Sequence, residues 1–237
     1  MKSVRLLVAI ITVSAFMACG DDNDYSERAM LSDIVTIAET SGPDGAVFTF
    51  QRYDDSPEIR LVDPSLSLDD EVKGLRALLR YYPESGEPYT SGNIKARALS
   101  VINNDTTLIR PVAKYNWNAT PVYLHSVWRS GEYLNLHVRV VYSDKPRHFN
   151  LLVDSLTLTE PVPQVYLVHD KLDAPDNFLM ETYASFDISN VWSLPTCEAI
   201  EVHINDSNLK KEVYTFTKTN NCLLYTSPSP RDAHESR

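Results

Sequence analysis

The sequence predicts an all-β chain built as two successive domains. Short apolar runs are broken by turn residues about every eight to twelve positions. Within most runs apolar and polar residues alternate, the period of a strand with one buried face. The composition agrees: the chain holds 13 Tyr and only 7 Gly, with much Val, Leu and Thr, which suits sheet packed on sheet. No internal repeat and no extended low-complexity stretch interrupts the pattern.

The strand signal starts only at about Leu31, and what precedes it has another purpose. Lys2 and Arg5 form a short positive region, and Leu6 to Met17 is almost unbroken apolar sequence. That run is too short for the ~20 residues of a spanning helix, so residues 1–18 read as a signal peptide. Ala18 is small and directly precedes Cys19, with Phe16 and Met17 before it, the arrangement of a bacterial lipobox. Cleavage between Ala18 and Cys19 followed by acylation of Cys19 is the expectation. Each buried methylene contributes about 0.8 kcal/mol, so two or three acyl chains, unlike one, anchor durably. The partner this implies is the membrane itself, reached through the lipid.

Asp21, Asp22 and Asp24 follow at once in "GDDND", too charged to pack and suited to a solvated tether over residues 19–30. The acidic run also resembles the lipoprotein export signal of certain Gram-negative anaerobes. That resemblance implies an outer-membrane lipoprotein exposed at the cell surface, with palmitate as one anchoring chain.

Residues 31–110 carry five short runs. "DIVTIAE" (33–39) alternates, "SGPDG" turns, and "AVFTFQRY" (46–53) alternates again. "EIRLVD" (58–63) follows a Ser-Pro break. In "DDEVKGLRALLRYYPESGE" the positions of Leu75, Leu78 and Leu79 have helical spacing, and Ser67 with Asp70 imitates a helix cap. Gly74 lies inside the run, so periodicity leaves helix and strand both open there. "NIKARALSVI" (93–102) closes the set, and five runs over this length predict a small barrel of the OB type.

"RPVAKYNWNATP" has a proline near either end and little periodicity, which places a linker at 111–121. Seven runs follow over residues 122–219: "VYLHSVW", "YLNLHVRVVY", "HFNLLVDSL", "QVYLVHD", "ETYASFDIS", "AIEVHIND" and "EVYTFTK". In the second, Leu134, Leu136, Val138 and Val140 share one face, and Tyr133, Asn135, His137 and Arg139 the other. Seven such runs predict a seven-stranded β-sandwich.

"CLLYTSPSPRD" (Cys222 to Asp232) has no strand alternation and resembles the translation of a transposase-based sequencing adapter. Residues 222–237 are accordingly read as non-native, and 220–237 as a tail outside the fold. Cys222 is then no disulfide partner for Cys197, and His234 no ligand.

The second domain resembles the NigD-like lipoproteins. The match rests on Trp128, Gly131, Tyr133-Leu134-Asn135, His148 with Leu151, Leu167 with His169, and Ser185-Phe186-Asp187. The resemblance implies an N-terminal OB domain ahead of the sandwich, so that "VKGLRALLRYY" is a barrel strand. It also implies structural roles for His148 and His169. The strand after residue 71 departs from the pattern in being rich in Leu and Arg. The family takes its name from a bacteriocin gene cluster, and the resemblance implies no enzymatic activity.

The residues themselves point the same way. His125, His137, His148 and His169 fall on different runs without close His-x-His spacing, so no metal site is expected. There is no Gly-x-Ser-x-Gly elbow, no Gly-rich phosphate loop, and no motif tying a histidine to Cys197. Asp54-Asp55 and Asp69-Asp70 read as solvated loop charges rather than catalytic pairs. No catalytic residue and no cofactor is therefore assigned. "DSL" (154–156) and "DTT" (105–107) have the form of a short O-glycosylation signal. Tyr81, Tyr82, Tyr89, Tyr115, Trp117 and Trp192 are the suggestive surplus, since rings at strand ends and in loops stack on sugars.

The whole chain carries 22 Lys and Arg against 32 Asp and Glu, a net charge of −10. Without residues 1–18 and 222–237 the balance is 18 against 30, or −12. That sign argues against nucleic acid, whose phosphates need a basic surface. The expected function is a non-enzymatic lipoprotein that binds or scaffolds a protein or glycan partner at the cell surface. The alternative is a bacteriocin-associated immunity protein at the envelope.

Overall fold

The structure, a computed structural model, describes residues 29–115, 117–143, 148–172 and 178–218. The expectations for Ala18, Cys19, Asp21, Asp22 and Asp24, and for the tail after residue 218, lie outside the described residues.

The first five runs form five strands: β1 (Leu31–Glu39), β2 (Ala46–Phe50), β3 (Ile59–Asp63), β4 (Arg76–Pro83) and β5 (Gly92–Val101). They close into a barrel in the order β1-β2-β3-β5-β4, with β4 returning to β1. Every pair is antiparallel except β3 with β5. Val35, Ile37, Phe48, Leu61, Leu79, Tyr81 and Ile94 fill the interior. Tyr81 keeps its hydroxyl satisfied by donating to Asp33 at 3.0 Å.

The segment that periodicity left open is a strand, preceded by a single 3₁₀ turn at Asp70–Val72. Asp69, rather than Ser67, caps that turn, accepting from the Glu71 amide at 3.1 Å. Gly74 then takes a φ of +81°, which redirects the chain before a longer helix can form.

The seven later runs form β8 (Tyr123–Ser130), β9 (Tyr133–Val141), β10 (His148–Asp154), β11 (Gln164–Asp170), β12 (Leu179–Asp187), β13 (Ala199–His203) and β14 (Val213–Thr217). The sandwich nevertheless contains nine strands among the described residues. Two short ones precede the linker, β6 (Asn103–Thr106) and β7 (Leu108–Arg110). β6 pairs in parallel with β12, and β7 in parallel with β10. One sheet runs β14-β13-β11-β10-β7 and the other β6-β12-β9-β8. The alternation predicts a barrel to residue 110 and seven sandwich strands; the structure ends the barrel strands at Val101 and gives 103–110 to the sandwich. The cause is composition: "NNDT" has no apolar alternation, and it joins the sandwich by pairing with β12 and by Asn103 Nδ2 donating to the Phe149 carbonyl at 3.0 Å.

On β9, Leu134, Leu136, Val138 and Val140 face the sandwich core as the alternation predicts. The opposite face is covered too. Arg76 reaches from β4 of the barrel and donates to Ser185 at 2.8 Å and Asn135 at 3.2 Å, while also bonding Thr36 at 3.0 Å. Its guanidinium lies over the Tyr133 ring, 4.2 Å from the centroid. Asn135 and Ser185 are fully buried and Arg76 is 3% exposed. A second contact runs the other way. Arg129 of the sandwich grips Asp55 through two bonds of 2.9 and 3.0 Å. Beside it the Asp54 and Gly131 amides donate to the Arg129 and Asp54 carbonyls. Two buried arginines thus fasten the domains, each rooted in one and bonded in the other.

Candidate functional site

The aromatic surplus divides once the fold is seen. Tyr81 and Trp192 are core residues. Tyr82 and Tyr89 lie under the guanidinium groups of Arg97 and Arg52. Trp117 alone among the six helps to line a groove.

That groove, of about 340 Å³, lies over the outer side of the five-stranded sheet and is lined by Trp117, Tyr166, His203, Asn205 and Glu212 among others. The parallel pairing of β11 with β13 sets Tyr166 opposite His203. Their rings stack at 4.4 Å with a 9° tilt. Trp117 leans on Tyr166 from the linker, centroid to centroid 5.6 Å. The linker is held firmly: the His169 amide donates to Asn118 O, Thr120 N–H to His169 O, and Asn205 Nδ2 to Ala119 O.

Beside the groove, a chain of polar side chains orients His203. Gln164 donates through Nε2 to Glu201 at 3.0 Å and to the Val162 carbonyl at 3.1 Å. Its Oε1 therefore faces His203 Nε2, 2.7 Å away, which must carry the proton in the neutral ring. Burial lowers the His203 pKa, with Glu201 and Glu212 acting in the opposite sense. Burial raises that of Tyr166, assisted by Asp154 and Glu201. The ring is thus neutral near pH 7, a flat apolar face edged by an amide and a carboxylate. Rings for stacking and a few fixed polar atoms for hydroxyl groups suit a small polar ligand.

Of the four histidines, His169 is buried and bonds the Thr120 carbonyl through Nδ1 at 2.9 Å. His125 and His137, expected to be dispersed, are instead neighbours. Their rings stack at 4.5 Å, and His137 also bonds Glu181 at 3.1 Å. No sequence spacing announced this, because a bulge in β8 creates it. Cys197 is buried, and burial raises its thiol pKa. Asp54 and Asp55 serve Arg129, and Asp69 caps a turn, so these carboxylates are structural. In the two glycosylation-type motifs Thr106 is exposed and Ser155 half-buried, while Asp154 bonds the Val112 and Leu156 amides.

An OB-type barrel fastened to a two-sheet sandwich defines a two-domain all-β protein. Residues 110–218 match the model described as the NigD-like C-terminal beta sandwich domain. Solved structures with the same fold cover both domains. A protein of unknown function from Bacteroides vulgatus superposes with a TM-score of 0.65 at 16% identity, over 86% of this chain and 98% of its own. A NigD-like immunity protein from Bacteroides caccae gives 0.56 at 16% identity, over 82% and 95%. A candidate lipoprotein from Bacteroides fragilis gives 0.56 at 12%, over 81% and 99%. No curated protein matches.

Proposed function

We propose that this chain is a non-enzymatic lipoprotein of the outer membrane that binds a glycan at the cell surface through the groove beside Trp117. The observation that carries the reading is the aromatic wall of Trp117, Tyr166 and His203, edged by Asn205 and Glu212. Its size matches one or two sugar rings, at the lower end of the roughly 300–1,000 Å³ of ligand pockets. An acidic chain suits a neutral or basic glycan better than a sulfated one.

Anchoring rests on Cys19 and outward placement on Asp21, Asp22 and Asp24. Cells fed radiolabelled palmitate should label the native chain and not Cys19→Ser; equal labelling would remove the anchor. Protease added to intact cells should digest the chain, and protection would place it inside. For the ligand, the purified chain is applied to a glycan array beside Trp117→Ala. Binding that the substitution abolishes, with the fold intact by circular dichroism, supports the groove. Silence across the array would remove the glycan.

A second reading, an envelope immunity protein, is favoured by the shared architecture of the Bacteroides caccae NigD-like immunity protein. Deleting the gene and challenging with supernatants of sister strains separates the two, since only an immunity protein changes sensitivity.

A further inference from the structure

The bulge in β8 gathers a group of side chains that the groove does not use. Leu124 pairs with Val138 and Ser126 with His137, so two residues, His125 and Ser126, stand opposite His137 alone. On the next strand Tyr183 pairs with His137 and Glu181 with Arg139. Directly paired residues share a face, so this side of the sheet presents His137, Glu181, Ser126 and the bulged His125 together. One ligand atom from each of His125, His137 and Glu181 lies within 4.8 Å of the others.

Two polar atoms here lack any hydrogen bond. His137 is 7% exposed, and its Nδ1 is buried without a partner. The neighbouring Ser126 Oγ is in the same condition. Buried donors and acceptors without partners are uncommon in folded proteins and destabilise them. Neither atom is a ligand of the site argued below, where His137 acts through Nε2; they show that this face is not packed for apolar contact alone.

We propose that His125, His137 and Glu181 form a binding site for a divalent transition-metal ion. Two imidazoles and one carboxylate suit Zn²⁺, Cu²⁺ or Ni²⁺ rather than Ca²⁺ or Mg²⁺, which take mostly oxygen. His137 Nε2 and Glu181 Oε2 are 3.1 Å apart. Two ligands on a tetrahedral zinc are separated by about 3.3 Å, so this pair already has the spacing. Glu181 divides its oxygens, Oε1 accepting from Arg139 at 3.1 Å and Oε2 facing His137. Arg139 thereby orients the carboxylate as an outer partner does around a metal, and its charge moderates the affinity.

The third ligand requires a movement. His125 is stacked at 26° to His137, and a shared ion must lie in the plane of both rings. His137 is wedged between His125 and Tyr183, whose ring is 4.3 Å away, so it stays in place. His125 is half-buried on the bulge with its ring edge-on to Tyr123 at 5.2 Å, and binding requires it to turn about χ2 so that a nitrogen reaches the ion. The fourth position is left to water.

Zinc binding to the purified full chain is measured by isothermal titration, with Co²⁺ as a spectroscopic probe of imidazole ligation. One ion per chain is expected to bind well above any background. His125→Asn and Glu181→Gln, both at half-exposed or exposed positions, should each weaken it at least about tenfold. His137→Asn should do the same with the melting temperature monitored, and Glu58→Gln, which removes an acid elsewhere, should leave it unchanged. Zinc should also raise the melting temperature of the native chain and not of the His125 variant. Absence of binding, or tight binding indifferent to His125 and Glu181, overturns the site.

Discussion

Arg76 of the barrel and Asn135 of the sandwich, both buried, are hydrogen-bonded at 3.2 Å across the junction between the domains. Among the described residues the acceptors of this arginine are Thr36, Asn135 and Ser185, none of them a carboxylate. Desolvation accordingly pulls its guanidinium down to about 10, with Tyr133 acting in the opposite sense. The charge is retained at neutral pH and held by neutral oxygens and one ring face.

Arg76→Ala should therefore destabilise the chain by about 2–4 kcal/mol, from the lost charged hydrogen bonds and the cavity left behind. Arg76→Met fills the space without burying a charge and should stay within about 1 kcal/mol of the native chain. Urea denaturation of the three proteins checks the order. An alanine variant as stable as the methionine one would mean that packing contributes little at this junction.

The reciprocal arginine answers to a different substitution. Arg129 has a side chain 1% exposed, and Asp55 supplies both of its short carboxylate bonds. Asp55→Ala leaves it with the Gly131 carbonyl, the Trp192 face 4.4 Å away, and Asp54 at 3.5 Å. A loss of about 1.5–3 kcal/mol is expected, measured by the same unfolding experiment. Proteolysis should cut first in the loop between β2 and β3, which the lost bonds had fastened.

Two glycines separate conformational strain from collision. Gly45 and Gly86 have φ of +81° and +79°. A Cβ on Gly45 would lie 2.2 Å from the Asp63 carbonyl oxygen, whereas one on Gly86 meets nothing within 4 Å. Gly86→Ala should cost about 1–2 kcal/mol, from the left-handed backbone alone. Gly45→Ala should cost clearly more, because β3 must move. Equal melting temperatures for the two variants would contradict that account.

The groove carries a pH dependence through His203. Burial depresses its pKa in the folded chain, against the partial offset of Glu201 and Glu212. Between the folded value and the unfolded one the unfolded chain binds more protons, so stability rises with pH over that interval. The contribution is complete above about pH 6.5 and is lost as pH falls below it. Melting temperatures from pH 5 to 8 should fall more steeply on the acid side for the native chain than for His203→Gln. Parallel curves would mean that the ring is no more reluctant to charge here than in water.

How far the sequence could be read depended on which interactions leave a periodic trace. Strands with one buried face do, and the five barrel runs and seven later runs are all strands. β6 and β7 leave almost none, since residues 103–110 are largely polar and their partners lie some 45 to 80 positions away. Alternation put His137 and Asn135 on the polar face of β9 but not what covers it. The Arg-rich departure in β4 was visible, though only the docked barrel shows Arg76 entering the sandwich. The His125–His137 pair depends on one extra residue in β8, and the Tyr166–His203 stack on a parallel pairing of non-consecutive strands; neither follows from local spacing.

The two short strands ahead of the linker bear on how the sandwich can be isolated. β6 caps β12 at the border of one sheet, and β7 caps β10 at the border of the other. A fragment cut at the start of the linker would expose unpaired backbone along both of these long strands at once. Such open borders recruit further copies, so the excised domain should precipitate where one beginning at residue 102 stays in solution.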